Sequence, residues 1–274
     1  ETTAMTNIGL DARIFRNLSF SFDYYNKRTT GILLQLSIPR TMGVSAPYQN
    51  AGVVDNKGWD MQIDYSNYDK VFKYGATIAL SDVKNTVVDL KGIQQTGTIV
   101  NREGHPMNSL FLLPSQGLLS AADFDGSGNY LHPAQTFGVV KPGDIRYDDV
   151  DKSGSVNNND RQVLGSTIPR YTYSLRLFAE YKGFDFTAFV QGVGKVDGYL
   201  TGSAITPFAA GGTAYEFQKN RWTTDNPDPN AVFPRFAFGE NNNIQHSDYW
   251  MKSAGYLRMK NLQLGYTIPK AVLS

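Results

Sequence analysis

Apolar and polar positions alternate most clearly between Arg170 and Gly192. Tyr171, Tyr173, Leu175, Leu177, Ala179 and Tyr181 interleave with Thr172, Ser174, Arg176, Phe178 and Glu180. After Lys182–Gly183 the alternation resumes, with Phe184, Phe186, Ala188 and Val190 against Asp185, Thr187, Phe189 and Gln191. Side chains of a strand point to opposite faces with period two, so this predicts a hairpin with one apolar and one polar face. The pattern recurs. Thr6–Arg16 sets Ile8, Leu10, Ala12 and Ile14 against Asn7, Gly9, Asp11 and Arg13, and Leu18–Asn26 sets Leu18, Phe20, Phe22 and Tyr24 against Ser19, Ser21, Asp23 and Tyr25. Lys57–Asn67 places Trp59, Met61, Ile63 and Tyr65 opposite Asp60, Gln62, Asp64 and Ser66. Phe72, Tyr74, Ala76, Ile78 and Leu80 follow opposite Lys73, Thr77 and Ser81, and Leu257–Thr267 carries Leu262, Leu264 and Tyr266.

The connections alternate in length. Arg16–Asn17, Asn67–Lys70, Lys182–Gly183 and the stretch after Pro269 read as tight turns. About 27–56, 82–169 and 192–255 read as long connections, with Ile32–Leu36 able to extend inside the first. Outer-membrane barrels keep short turns on the periplasmic side and long loops outside, and their tilted strands need about 9–11 residues to cross. The pattern therefore predicts an all-β fold: a sector of an antiparallel transmembrane β-barrel with short periplasmic turns and long extracellular loops. Tyr24, Trp59, Tyr65, Tyr171 and Tyr181 fall on the lipid-facing side as girdle residues. Arg13, Asp60, Asp64, Arg176, Glu180 and Asp185 fall toward the lumen. About seven strands are too few for a barrel with a roomy interior. Residues 1–274 are accordingly expected to form part of one barrel domain, and the abrupt start and finish read as those of an excised piece.

Composition narrows the field only at its edges. The 274 residues carry 26 basic and 25 acidic side chains, a net charge of +1, which leaves no electrostatic footprint for nucleic acid. There is no cysteine, so disulfides and thiolate metal sites are excluded. No apolar run reaches the roughly 18 residues of a helical span.

The best candidate for chemistry is Asp149–Asp160, DVDKSGSVNNND. Set on a twelve-position calcium loop, Asp149, Asp151 and Ser153 take positions 1, 3 and 5, and Gly154 the sharp turn at 6. Ser155 offers a carbonyl at 7, Asn157 sits at 9 and Asp160 at 12. No helix pair flanks it, so it would be a lone loop stiffened by calcium. The other reading is an Asx-rich turn capping its own backbone. Asp123–Asn129 starts similarly but lacks the closing carboxylate and reads as a turn. His105, His132 and His246 show no metal spacing, and no nucleophile elbow, P-loop or zinc helix is present, so no enzyme is expected. Among the aromatics of 192–255, Tyr215, Trp222 and Phe236 are candidates to touch a glycan, a peptide or a partner surface, against the plainer role of packing a large loop.

Several stretches are specific in wording and in order. They include ETTAMTNIGLDARIFRNLSFSFDYYNKRTTGIL, NAGVVDNKGWDMQIDY, NREGHPMNSL, the run from KPGDIRYDDVDKSG through DRQVLGSTIPRYTYSLRLF, and YLRMKNLQLGYTIPK. Together they resemble the C-terminal half of SusC/RagA-type TonB-linked outer-membrane transporters over nearly the whole chain. That resemblance implies a barrel of about 22 strands with an N-terminal plug, TonB as energy source through that plug region, and a SusD-like surface lipoprotein as lid. It implies import of oligosaccharide or peptide across the outer membrane of a Bacteroidetes-type bacterium. The plug, the TonB-contacting segment and the last strands have no counterpart in these 274 residues. Two further readings stay open: a non-transporting adhesin barrel, and a soluble secreted calcium-containing β-sandwich that binds glycan. The second would bury the apolar face in protein, where a barrel leaves it bare.

Overall fold

In the computed structural model the described residues are 1–35, 41, 43–45, 47–68, 71–92 and 94–269, without the side chains of residues 94 and 96. Asp69 and Lys70 of the turn read at Asn67–Lys70, residues 36–40 of the first long connection, and the turn after Pro269 lie outside them. One antiparallel sheet of seven strands dominates. Its strands are β1 (Thr2–Ile14), β2 (Leu18–Gln35), β3 (Tyr48–Asn67), β4 (Phe72–Asp89), β5 (Tyr171–Tyr181), β6 (Phe184–Gly194) and β7 (Tyr256–Tyr266), paired in chain order. No helix is long and apolar enough to cross a membrane, which says nothing of crossing by strands.

Register turns the one-dimensional alternation into surfaces. Ile14, Leu18, Tyr65, Ala76, Leu177, Ala188 and Leu262 are successive cross-strand partners spanning all seven strands. The next such row is Ala12, Phe20, Ile63, Ile78, Leu175, Val190 and Met259. Between these two on the other face runs Arg13, Ser19, Asp64, Thr77, Arg176, Phe189 and Asn261. Because the side-chain period is two, a single-residue slip would flip a strand and break every row, so the pattern specifies the pairing. On β7 the register shifts between Phe189 and Val190, which leaves Lys260 bulged. The bulge keeps Leu257 and Met259 on the same face as Leu262 and Leu264 despite their odd numbers.

The Lys182–Gly183 turn joins β5 and β6 as read from the sequence, with φ of 46° and 86°. Two positive φ values are what a tight turn matched to the strand twist requires, and glycine supplies one without strain.

The long connections begin later than the sequence pattern placed them. β2 runs on through Lys27 to Gln35 and β3 starts at Tyr48, so most of the connection read at 27–56 is paired sheet. β4 likewise runs to Asp89, eight residues into the connection read at 82–169, and β6 ends at Gly194, within that read at 192–255. The extensions are stabilised by burial: Leu34, Val54, Val87 and Leu90 form a small core against which Met107 packs. A second core lies in the loops, where Leu113, Ile145, Tyr147, Val156, Ile205, Phe233 and Trp250 pack together from both remaining connections. The two loops thus form one packed layer beyond the end of the sheet.

Candidate functional site

The apolar face of the sheet is bare. Ile78, in the middle of the central strand β4 and flanked by Ile63 and Leu175, is still 40% exposed, and Leu264 is 77% exposed. Toward the short-turn end the face is rimmed by aromatic rings. Tyr65 and Tyr74 lie 5.9 Å apart, Tyr74 and Phe72 5.4 Å, Phe72 and Tyr181 6.1 Å, and Phe184 and Tyr266 4.5 Å. Toward the other end stand Trp59, stacked on Phe22 at 6.3 Å, and Tyr171, beneath the Arg170 guanidinium at 5.5 Å. Arg170 there pairs through two nitrogens with Asp82, at 2.6 and 2.5 Å. From Tyr74 to Asp82 is eight residues, about 27 Å along the strand. The opposite face is polar and forms a hollow lined by Ser21, Asp23, Asp60, Gln62, Thr172 and Gln191. A second hollow nearer the short turns sets the Lys73–Glu180 ion pair beside the stacked rings of Tyr68 and Phe178.

The loop layer is held by buried polar groups that bridge the two connections. Asp144 is fully buried and accepts from Arg235 Nη2 at 2.9 Å, Asn243 Nδ2 at 2.7 Å and the Lys141 amide at 2.8 Å. Burial pushes its carboxyl above the usual range in spite of these donors. The Tyr147 hydroxyl donates to the Asn242 carbonyl at 2.6 Å, and Gln135 donates to Asn242 Oδ1 at 3.0 Å. Burial holds the Tyr147 phenol well above its ordinary value, so it stays a donor.

The six residues read as a calcium loop come together, and the carboxylates of Asp149, Asp151 and Asp160 lie within 4.8 Å of one another. Their hydrogen bonds are mostly to backbone. Asp149 accepts from the Ser153 and Gly154 amides at 3.1 and 2.8 Å, and Asp151 from Ser153 at 3.0 Å. Asp160, fully buried, accepts from Val150 and Asp151 on Oδ1 and from Asn157 on Oδ2. The Ser155 carbonyl accepts from the Ser153 hydroxyl and from Asn157 Nδ2. Hydrogen bonds from Ser153 hold the Asp151 carboxyl below the usual range. Asp160 therefore closes the loop through three amides and has little capacity left as a bidentate ligand, whereas Asp149 and Asp151 keep free lone pairs. In the neighbouring turn Asp123 is engaged by His132 at 2.8 Å and Arg146 at 3.4 Å, which leaves that stretch a structural turn.

The three aromatic candidates part ways. Trp222 is only 8% exposed and its ring lies where a Gly143 Cβ would be, so it packs the loop interior instead of offering a contact face. Tyr215 is exposed and stacks on Phe217 at 5.2 Å. Phe236 lies beneath the Arg221 guanidinium at 4.2 Å and edge-on to Phe208 at 5.2 Å, and Phe208 in turn stacks on Phe238. These rings line a cavity of about 250 Å³ with Ile205 and Trp250. Phe208 was not singled out from sequence; its only signal is an aromatic set between Pro207 and the Ala209–Gly212 run.

Compared with known proteins, the chain resembles TonB-dependent receptors along nearly its whole length. It is 27% identical over 276 residues to TonB-dependent receptor P26 of Formosa agariphila, covering 98% of this chain and 28% of that protein. It is 28% identical over 289 residues to TonB-dependent receptor P3 of the same organism, covering 100% and 28%. Among solved structures, the RagAB peptide importer matches in its open-open state with a TM-score of 0.75 at 21% identity, and in its closed-closed state with 0.74 at 20%. Both cover 99% of this chain and 29% of theirs. No family model matches the chain. The chain thus has the fold of the matching part of those structures, and the resemblance to SusC/RagA-type TonB-linked proteins read from its motifs holds from end to end. It spans less than a third of the length of the curated relatives it matches.

Proposed function

We propose that the seven strands are a sector of a closed outer-membrane β-barrel, the apolar rows facing lipid and the polar rows facing the lumen, with the loop layer outside and the short turns in the periplasm. The observation that carries this is the apolar face itself: complete through seven strands, rimmed by aromatic rings and left exposed by all the described residues. A soluble protein rarely leaves so large an apolar surface to water, whereas a barrel needs one. The same bareness argues against the β-sandwich reading, which requires a second sheet on that face.

On this reading the parent protein is a TonB-energised importer without enzymatic activity, in the outer membrane of a Gram-negative, Bacteroidetes-type cell, beneath a SusD-like lipoprotein. TonB would act through a plug, and the cargo would be peptide or oligosaccharide. Peptide is the first class to test because the solved relatives of this fold are a peptide importer. The exposed Tyr215 and the Phe236 cradle stand on the loop layer, where lid and cargo would meet. Refolding the full-length protein with and without detergent or lipid tests the assignment. β-Structure that forms only with the amphiphile, and compact gel migration before boiling, are the expected results; cooperative folding in plain buffer would refute it.

The loop at Asp149–Asp160 is proposed to take one calcium ion through the free oxygens of Asp149 and Asp151, supported by Ser153, Ser155, Asn157 and Asp160. Affinity in the 10⁻⁴–10⁻³ M range of extracellular modules is expected. Calcium titration by calorimetry on the full-length protein, wild type against Asp151→Asn, should give heat that the variant loses. Equal or absent heats in both would refute it.

A further inference from the structure

The end of the apolar face nearest the loop layer carries cations without counter-charges. Lys57 on β3 and Lys84 on β4 are direct cross-strand partners, two residues beyond the Trp59–Asp82 pair and on the same face. Both are exposed, and neither forms an ion pair among the described residues. Like charges directly opposite one another destabilise a strand pair, so this pair gains from a negative charge brought from outside the sheet. Backbone pairing brings two more cations to Lys84. The Val83 amide donates to the Arg170 carbonyl at 3.0 Å, and the Arg170 amide to the Lys195 carbonyl at 3.3 Å. Lys84, Arg170 and Lys195 line one hollow of about 340 Å³ together with Val163, Leu164 and Ile168. That volume falls in the range of small-ligand clefts.

Two carboxylates stand close by, and neither cancels the lysines. Asp82 accepts from Arg170 Nε and Nη2 at 2.6 and 2.5 Å, which leaves Nη1 of that guanidinium for another partner. Asp197, which also lines the hollow, accepts from the Ser166 amide at 2.9 Å. The Arg28–Asp55 pair beyond Lys57 is neutral in itself. Lys57, Lys84, Arg170 and Lys195 therefore outnumber Asp82 and Asp197. An anion with several acceptor oxygens suits that excess, and phosphate is the group that Arg and Lys share as a ligand. Position supplies the rest of the ligand. Lys84 lies about 7 Å beyond Asp82 along β4, just past the rings of Trp59 and Tyr171. Down the same face from there run the Leu80–Tyr173 and Ile78–Leu175 pairs. A phosphate held in the hollow thus has an exposed apolar track directly below it, which is how a lipid sits with its headgroup at the level of an aromatic belt.

We propose that Lys84, Arg170 and Lys195, with Lys57 beside them, bind the phosphate of a phosphorylated glycolipid of the outer leaflet, its acyl chains lying along Tyr173, Leu80 and Ile78. This inference rests on the barrel reading given above. Native mass spectrometry of the full-length protein in detergent tests it, with lipid A as the probe, dephosphorylated lipid A beside it and inorganic phosphate in a third arm. The wild type should retain lipid A and shed the dephosphorylated form. Lys84→Gln combined with Lys195→Gln removes two cations from the headgroup and should weaken retention on the order of 30-fold. Lys141→Gln combined with Lys219→Gln takes the same charge from exposed ion pairs of the loop layer and should leave retention unchanged. Equal retention of the two lipids, retention of neither, or equal retention of lipid A by the wild type and the Lys84/Lys195 variant would overturn the proposal. Binding of inorganic phosphate without the lipid would overturn it too, in favour of a free-anion site. Failure of the barrel reading looks different, because the protein would then fold cooperatively in plain buffer. The comparison of the two lipids on the wild type decides the matter even where a variant does not fold.

Discussion

Replacing Ile78 with arginine separates a lipid-facing wall from a water-facing one. Ile78 sits four residues from Tyr74 in the aromatic rim and four from Asp82, where Arg170 pairs, so it is close to the middle of the apolar band. Its cross-strand partners are Ile63 and Leu175, and it is 40% exposed even at the centre of the sheet. Arginine at the midplane of a transmembrane barrel's lipid face costs about 2–4 kcal/mol, which is roughly 30- to 900-fold in the folding equilibrium. The control is Gln62→Arg, on the other face, exposed and beside Asp64 at 2.7 Å. A charged substitution there belongs with ordinary surface changes, within about 0.5 kcal/mol. The assay is denaturant titration of the full-length protein refolded into lipid vesicles, followed by tryptophan fluorescence. Ile78→Arg should fall by at least about 2 kcal/mol relative to wild type while Gln62→Arg stays near it. Equal effects at the two positions would refute the assignment of faces.

Other expectations concern the loop layer. Asp144→Ala removes the buried acceptor shared by Arg235 and Asn243, leaving Arg235 with Glu240 alone and Asn243 with the Arg235 carbonyl, and should destabilise the layer by about 1–3 kcal/mol, read as early local unfolding by hydrogen exchange. Gly143→Ala drives a methyl into the Trp222 ring at a φ of +87°, and a cost of about 1–3 kcal/mol from backbone strain alone is expected in the same measurement. Burial pushes the Asp123 carboxyl up, but donors from Ser120, the His132 ring and the Arg146 charge outweigh it and hold the group below the usual range. A depressed carboxyl contributes stability that is present above about pH 3.9 and lost as pH falls through the lower folded value. Acid melting of the wild type should show that loss and Asp123→Asn should lack it.

How much was legible followed from how the side chains are surrounded. Where one face meets a polar environment and the other does not, as at Tyr171–Tyr181 and Leu18–Tyr24, period two survives and the strand is readable. Where residues of the connections pack over the otherwise polar face, as around Val54, Val87 and Leu90, apolar residues take positions of both parities, alternation vanishes, and β2, β3 and β4 were read too short. Leu257 and Met259 fell out of the pattern because the bulge at Lys260 shifts their parity. The oxygen-rich spacing of Asp149–Asp160 was readable, because its acidic residues lie close together in sequence. Which atoms the backbone had already claimed was not, since Asp160 reaches back to Val150 and Asp151. The burial of Trp222 against Gly143 and the approach of Tyr199 to His246 depend on contacts between segments far apart in the chain, and such contacts leave no periodic trace.

The central claim is that the apolar rows face lipid. The chain has no cysteine, so single spin labels can be placed along β4 and β5 without background from these residues. The decisive measurement is the accessibility of labels at positions 76 to 80 and 173 to 177 to oxygen and to a water-soluble nickel chelate, in the full-length protein in bilayers. Labels at 76, 78, 80, 173, 175 and 177 should favour oxygen, and those at 77, 79, 174 and 176 the chelate, with period two. Uniform access of the chelate to both sets, or exclusion of both probes from the apolar set, would contradict it.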